Sequence, residues 1–133
     1  MARLLRLFMS TVPAACRTVD VFRATSAWTE SGVTWNAQPF GTTLNNPPVG
    51  QATATFTVGT PVGCTNQVAA YVSGADVTSD ISAFVAGSAT NFGWMLRDDS
   101  ENSATVRTST FSAKELATLA RAPQLVVSYV LVP

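Results

Sequence analysis

The side chains able to do chemistry in this 133-residue chain are few, and their types exclude more than they allow. There is no histidine, so the commonest general base, proton shuttle and metal ligand is missing altogether. A Ser-His-Asp triad is therefore excluded, and a cysteine nucleophile would lack its usual base. Among the carboxylates, Asp98 with Glu101 or Glu115 is the only arguable pair for glycoside hydrolysis. Nothing beyond their presence supports it. The expectation is a protein that is not an enzyme and has no catalytic residues.

Binding chemistry has more material. Trp28 and Trp35 stand close together, with Glu30 between them. Flat indoles stack on the C–H faces of sugar rings while nearby polar groups bond hydroxyls. The plainer reading is that both rings fill a core and Glu30 fixes the turn between them; Trp94, inside an apolar run, reads as core. Arg23, Arg97, Arg107 and Arg121 could fork onto the carboxylates of an acidic sugar such as a uronate, or simply be sheet-surface charge. The candidate ligand-binding set is Trp28, Glu30, Trp35, Arg97 and Arg107. In the acidic turn 98–102, Asp98 and Glu101 are candidate calcium ligands, since hard cations want several carboxylate and carbonyl oxygens. The turn lacks EF-hand spacing, and its bland alternative is a hydrogen-bonded loop with Arg97 or Arg107 on Glu101. Calcium is the one cofactor these residues allow; otherwise none is expected.

The remaining composition narrows the partners. Formal net charge is zero and only 12% of residues are charged, which argues against a nucleic-acid binder. No apolar run is long enough to span a bilayer. Small β-formers and turn-formers dominate, a profile usual for secreted β-domains. Cys16 and Cys64 lack the CxxC or Cys/His company of a zinc site, and a disulfide is the natural reading for an exported chain. Closing a loop of that length would stabilise by roughly 4 kcal/mol in the chain-entropy model. Residues 1–16 share features with an export signal, but Arg6 breaks the short apolar run and Pro13 is out of place, so they read as a strand.

The elements that must position these residues are mostly strands. Runs at 2–9, 17–24, 51–58, 68–73, 92–97, 105–111 and 124–132 are β-favouring and bounded by turn signals. The alternation in 17–24 places Phe22 on a wet face. Residues 33–35 are short and β-favouring, followed by the turn-rich stretch 36–50 with three prolines. One short helix is expected near 77–86, capped by Asp76 or Thr78, with Val77, Ile81, Phe84 and Val85 at helical spacing and Gly87 as its stop. The pattern says an all-β sandwich or barrel of antiparallel strands, one domain over 1–133.

Several motifs, in order, carry a resemblance. They are Trp28-Thr29-Glu30, Val33-Thr34-Trp35-Asn36 with Pro39, Asp76-Val77-Thr78 and Asn91-Phe92-Gly93-Trp94. Arg97-Asp98 with Glu101, residues 110–115, and Pro123-Gln124-Leu125 ending in Tyr129 follow. The set resembles the DNRLRE-domain family of extracellular modules, related to disaggregatase repeats and alginate-binding carbohydrate modules. The resemblance implies a jelly-roll-like β-sandwich acting as a non-catalytic accessory of surface proteins and polysaccharide-active enzymes. It also implies one or more strands ahead of residues 2–9 that this chain does not show.

Two functions follow. One is an extracellular carbohydrate-binding or cell-surface module with a polysaccharide partner. The other is a structural subunit, a homo-oligomer or filament joined by strand addition at an open sheet edge beside the first strand or residues 17–24. Nucleic acid and a membrane span are not expected partners.

Overall fold

The computed structural model describes residues 2–101, 104, 107–116 and 118–133. Its strands are β1 (Arg3–Arg6), β2 (Phe8–Thr11), β3 (Arg17–Arg23), β4 (Ala54–Val58) and β5 (Ala70–Tyr71), followed by helix α1 (Thr78–Val85). Then come β6 (Trp94–Asp98), β7 (Thr110–Phe111) and β8 (Gln124–Val127). They form three antiparallel sheets ordered β1-β8, β5-β2-β7 and β4-β3-β6. This is the all-β, sandwich-type architecture with one short helix that the sequence predicts.

β3 carries the alternation furthest. Val19 and Val21 point into a core shared with Phe56 and Val58 of β4, Leu7, Met9, Val72, Val77 and Ile81. Asp20 and Phe22 point to the opposite face, which the sequence leaves wet. That expectation fails: Phe22 is only 1% exposed and Asp20 is fully buried. The long connection after β3 folds back and brings Phe40 and Pro47 beside Phe22. It is tied down where the Asn45 N–H donates to the Glu101 carboxylate and the Glu101 N–H donates to Asn45 Oδ1.

Helix α1 forms because Val77, Ile81 and Phe84 fall within about 30° of one line at 100° per residue. Val77 and Ile81 join the core and Phe84 packs against it. Val85 turns a further 100° and is exposed, so it leaves the predicted apolar face. The Thr78 N–H donates to Asp76 Oδ1 (2.9 Å), and the Thr78 hydroxyl accepts from Arg3 N–H (3.0 Å), fixing the helix start to β1. Gly87, at φ +72°, ends it.

Several predicted strands are shorter than expected. Residues 2–9 divide at Leu7 into β1 and β2. Of 68–73 only Ala70–Tyr71 remains, because buried Asn66 takes over the backbone pairing. Its amide donates to Thr57 O (2.8 Å) and accepts from Ser73 N–H (2.7 Å). Residues 33–35 form a turn, with Thr34 and Ala37 exchanging backbone bonds of 3.1 Å. Asn36 turns the chain where local β propensity would extend it. Thr105 and Val106 lie outside the described residues, and the run they begin is a strand only at Thr110–Phe111. β8 stops at Val127, opposite Arg3, where the ladder partner ends.

The Cys16–Cys64 disulfide is present, with Cα atoms 5.7 Å apart. It joins the entry to β3 with the loop after β4. Gly59 lets the two approach, since a Cβ there would lie 2.6 Å from Ala15 O. Opening this bridge by reduction or by Cys16→Ser/Cys64→Ser should cost up to about 4 kcal/mol in urea unfolding. No change in the unfolding midpoint with reductant would contradict it.

Candidate functional site

The long connection from Ala24 to Thr53 builds the most featured surface of the molecule. Ala24 N–H donates to Gly93 O (2.9 Å) and Thr53 N–H to Val21 O (2.8 Å), so both ends are anchored on β3 and its neighbourhood. Between them, Thr29 O accepts from both Gly32 and Val33 N–H (3.1 and 2.9 Å). This tight turn sets Trp28 and Val33 on one side of the loop. The Trp28 indole donates Nε1–H to Phe92 O at 2.6 Å, which fixes the ring while leaving it 44% exposed.

Three depressions run along this loop. The first, about 420 Å³, has Trp28, Val33, Gln38 and Pro39 in its wall together with Thr29 and Gly32. The second, about 220 Å³, shares those four residues and adds Phe40, Trp94 and Met95. The third, about 350 Å³, shares Phe40 and is lined by Phe22 and Pro47 with polar Arg23, Gln51, Thr53 and Asp80. The run thus passes from an aromatic, mostly apolar stretch to a polar end.

Asp80 organises the polar end. It is 5% exposed, near the start of α1, and accepts from Trp94 Nε1–H (2.8 Å) and the Thr53 hydroxyl (2.7 Å). Arg23 Nη1 approaches at 3.4 Å to complete an ion pair. Three donors on a buried carboxylate satisfy the charge that burial would otherwise penalise. They also lock Trp94, which is half-buried against the core as its sequence context predicts.

The predicted site residues are only partly brought together. Trp28 lines two depressions; Trp35 is 51% exposed but outside the residues lining them. Neither fills the core, so the plainer sequence reading of these two rings is corrected. Turn bonds hold this segment out from the sheet, where the rings cannot reach between layers. Glu30 is exposed and pairs with Lys114 Nζ at 2.6 Å, tying the loop to residues 112–116. Arg97 is 7% exposed, its guanidinium 4.6 Å over the Phe22 ring. It stands directly across the β3–β6 ladder from Asp20, and among the described residues neither its three nitrogens nor Asp20 Oδ2 has a hydrogen-bond partner. Arg107 is exposed and lines a separate depression together with Arg97, Asp98, Ser109 and Phe111, so the structure brings Arg97, Asp98 and Arg107 to one place. Arg97 and Arg107 therefore do not join Trp28.

Asp98 and Glu101 are engaged elsewhere. Arg17 grips Asp98 with two hydrogen bonds, one of 2.9 Å, and Glu101 holds Asn45. Among the described residues no group of three or more Cys, Asp or Glu side chains gathers as a metal site. Burial pushes the Asp98 carboxyl up, but Arg17 and the Ser100 N–H together hold it below the usual carboxylate range. Asp99 beside it is raised, by burial and then by the Asp98 charge. Sequence reading missed Asp80, Thr53 and Gln38. A lone acid in a helical turn and isolated polar residues carry no spacing signal.

The family model of carbohydrate-binding module family 96 matches residues 2–129. The chain belongs to that family. No curated protein and no solved structure matches it. The fixed, half-exposed Trp28 indole and Gln38 line the same two depressions of this loop. No described helix is long and apolar enough to cross a membrane.

Two outcomes test this geometry. Asp80→Ala should destabilise the module by about 3 kcal/mol in denaturant, because it strands Arg23 and two side-chain donors. A loss under about 1 kcal/mol would mean the cluster is not holding the loop. For Asp98, the lowered folded pKa gives stability that is present above the unfolded carboxylate value near 4 and lost as pH falls through the folded one. Asp99, being raised, works in the opposite direction. Urea unfolding between about pH 2 and 6 should therefore show the wild type losing stability toward acid more steeply than Asp98→Asn. Parallel curves would contradict the pairing.

Proposed function

We propose that this module is a non-catalytic, extracellular accessory that holds a polysaccharide chain along the depressions of the Ala24–Thr53 connection. The observation carrying this reading is Trp28. Its ring is pinned through Nε1–H to Phe92 O, stays half-exposed, and forms a wall common to two adjoining depressions. A rigid ring binds sugar without paying the entropy of ordering a mobile side chain. Arg23 and Gln51, in the wall of the third depression, supply polar groups for hydroxyls at the far end.

Within family 96 we read the chain as of DNRLRE type, on the ordered motifs from Trp28 to Tyr129. A non-catalytic role agrees with the carboxylates: Asp98 and Glu101 serve Arg17 and Asn45, and neither faces the aromatic run. The Cys16–Cys64 bridge supports a place outside the reducing cytoplasm.

Glycan arrays spanning neutral and acidic polysaccharides, followed by affinity electrophoresis, test the reading. Trp28→Ala should weaken binding about tenfold or more, as loss of a central aromatic anchor does, with Trp35→Ala weaker in effect. Equal binding by wild type and Trp28→Ala would remove the platform; no binding to any glycan would remove the function.

A further inference from the structure

The surface built by the Ala24–Thr53 connection carries almost no free charge. Glu30 is the one ionisable residue between Ala24 and Thr53, and it is paired with Lys114 (2.6 Å). The two depressions that share Trp28 are lined by no ionisable side chain. In the third, Arg23 and Asp80 offset one another as an ion pair. Arg97 and Arg107, the cations expected to read an acidic sugar, line another depression with Asp98. The strong hydrogen-bond donors of the walls are committed inward as well. Trp28 Nε1–H goes to Phe92 O (2.6 Å), and Trp94 Nε1–H and the Thr53 hydroxyl go to Asp80 (2.8 and 2.7 Å). The Gly32 and Val33 N–H groups are used on Thr29 O, and Ala37 N–H on Thr34 O. Gln38 donates one Nε2–H to Trp35 O (3.2 Å) and keeps its carbonyl oxygen as an acceptor. What remains is an apolar ring face with neutral groups that accept as readily as they donate, such as the Thr25 and Thr29 hydroxyls and the Gln51 amide.

We infer that this surface takes an uncharged polysaccharide and rejects a polyuronate. The inference rests on the sugar-binding reading of the same surface and names its substrate class. A sugar hydroxyl both donates and accepts, so it fits walls made of mixed neutral groups. An ionised carboxylate only accepts. A charge taken out of water needs a counter-charge or several donors. Among the described residues these walls have neither to spare, and at the polar end a carboxylate would also lie near the Asp80 charge. Arg23 does not alter this. Drawing its guanidinium onto a ligand would leave Asp80, 5% exposed, without one of its three donors. Rejection by unmatched polar groups discriminates more sharply than attraction by an apolar wall.

Affinity electrophoresis and calorimetric titration with paired polysaccharides test this. The probes are neutral glucans, mannans and galactans, and polyuronates each beside its carboxyl-reduced, uncharged form. The wild type should bind at least one uncharged chain about tenfold or more tightly than any polyuronate. That affinity should change less than about twofold between roughly 0.02 and 0.5 M salt, because no ion pair is there to screen. Gln38→Lys sets a cation in the wall of both Trp28 depressions. It should raise polyuronate affinity about tenfold and make it salt-sensitive. A polyuronate bound as tightly as any neutral chain by the wild type, and lost in Trp28→Ala, would overturn the inference and leave the sugar-binding surface standing. No gain of polyuronate affinity in Gln38→Lys would overturn it too. Polyuronate binding lost in Arg107→Ala but untouched in Trp28→Ala would instead overturn the reading on which it rests.

Discussion

β3 is covered on every side. Its two edges are taken by β4 and β6, its odd residues Val19 and Val21 enter the core, and its even residues Asp20 and Phe22 are buried too, Phe22 beside Phe40 and Pro47 of the Ala24–Thr53 connection. A strand hydrogen-bonded on both edges satisfies its backbone wherever it is buried. It can therefore bury both faces without orphaning polar groups, and this permits a long loop to lie flat on the sheet. The aromatic surface exists because that loop has a sheet to lie on.

Covering the second face has an electrostatic cost. Asp20 and Arg97 face one another across the ladder, with hydrogen-bonding capacity that the other described residues leave unused on both. Their opposite charges and the stacking of Arg97 on Phe22 offset part of the desolvation. Asp80 solves the same problem differently. Its carboxylate collects an indole N–H, a hydroxyl and a guanidinium from three separate segments. Burying one satisfied charge there fixes α1, β6 and the far end of the loop together. Rigidity at the site and a satisfied charge in the interior are thus one arrangement.

The separation of Trp28 from Arg97 and Arg107 shapes the chemistry. The stacking surface lies on the loop, whereas Arg97 and Arg107 share a separate depression with Asp98, Ser109 and Phe111. Polar recognition beside the rings therefore falls to Gln38, Arg23 and the groups around Asp80.

Much of this was legible in the residues themselves. Two-residue alternation in 17–24 and 51–58, the 3.6-residue recurrence of Val77, Ile81 and Phe84, the stop at Gly87 and the pairing of two lone cysteines are local or nearly local signals. They determined the strands, the helix, the disulfide and, through the missing histidine, the narrow range of chemistry. What the sequence could not determine was which polar or aromatic side chains end up covered. Phe22 reads as wet and is buried; Trp28 and Trp35 read as core and are exposed; Asp80 reads as nothing and organises a site. Burial depends on what returns from far along the chain to cover a face. That return is set by long-range contacts, such as Asn45 with Glu101, which no local pattern encodes.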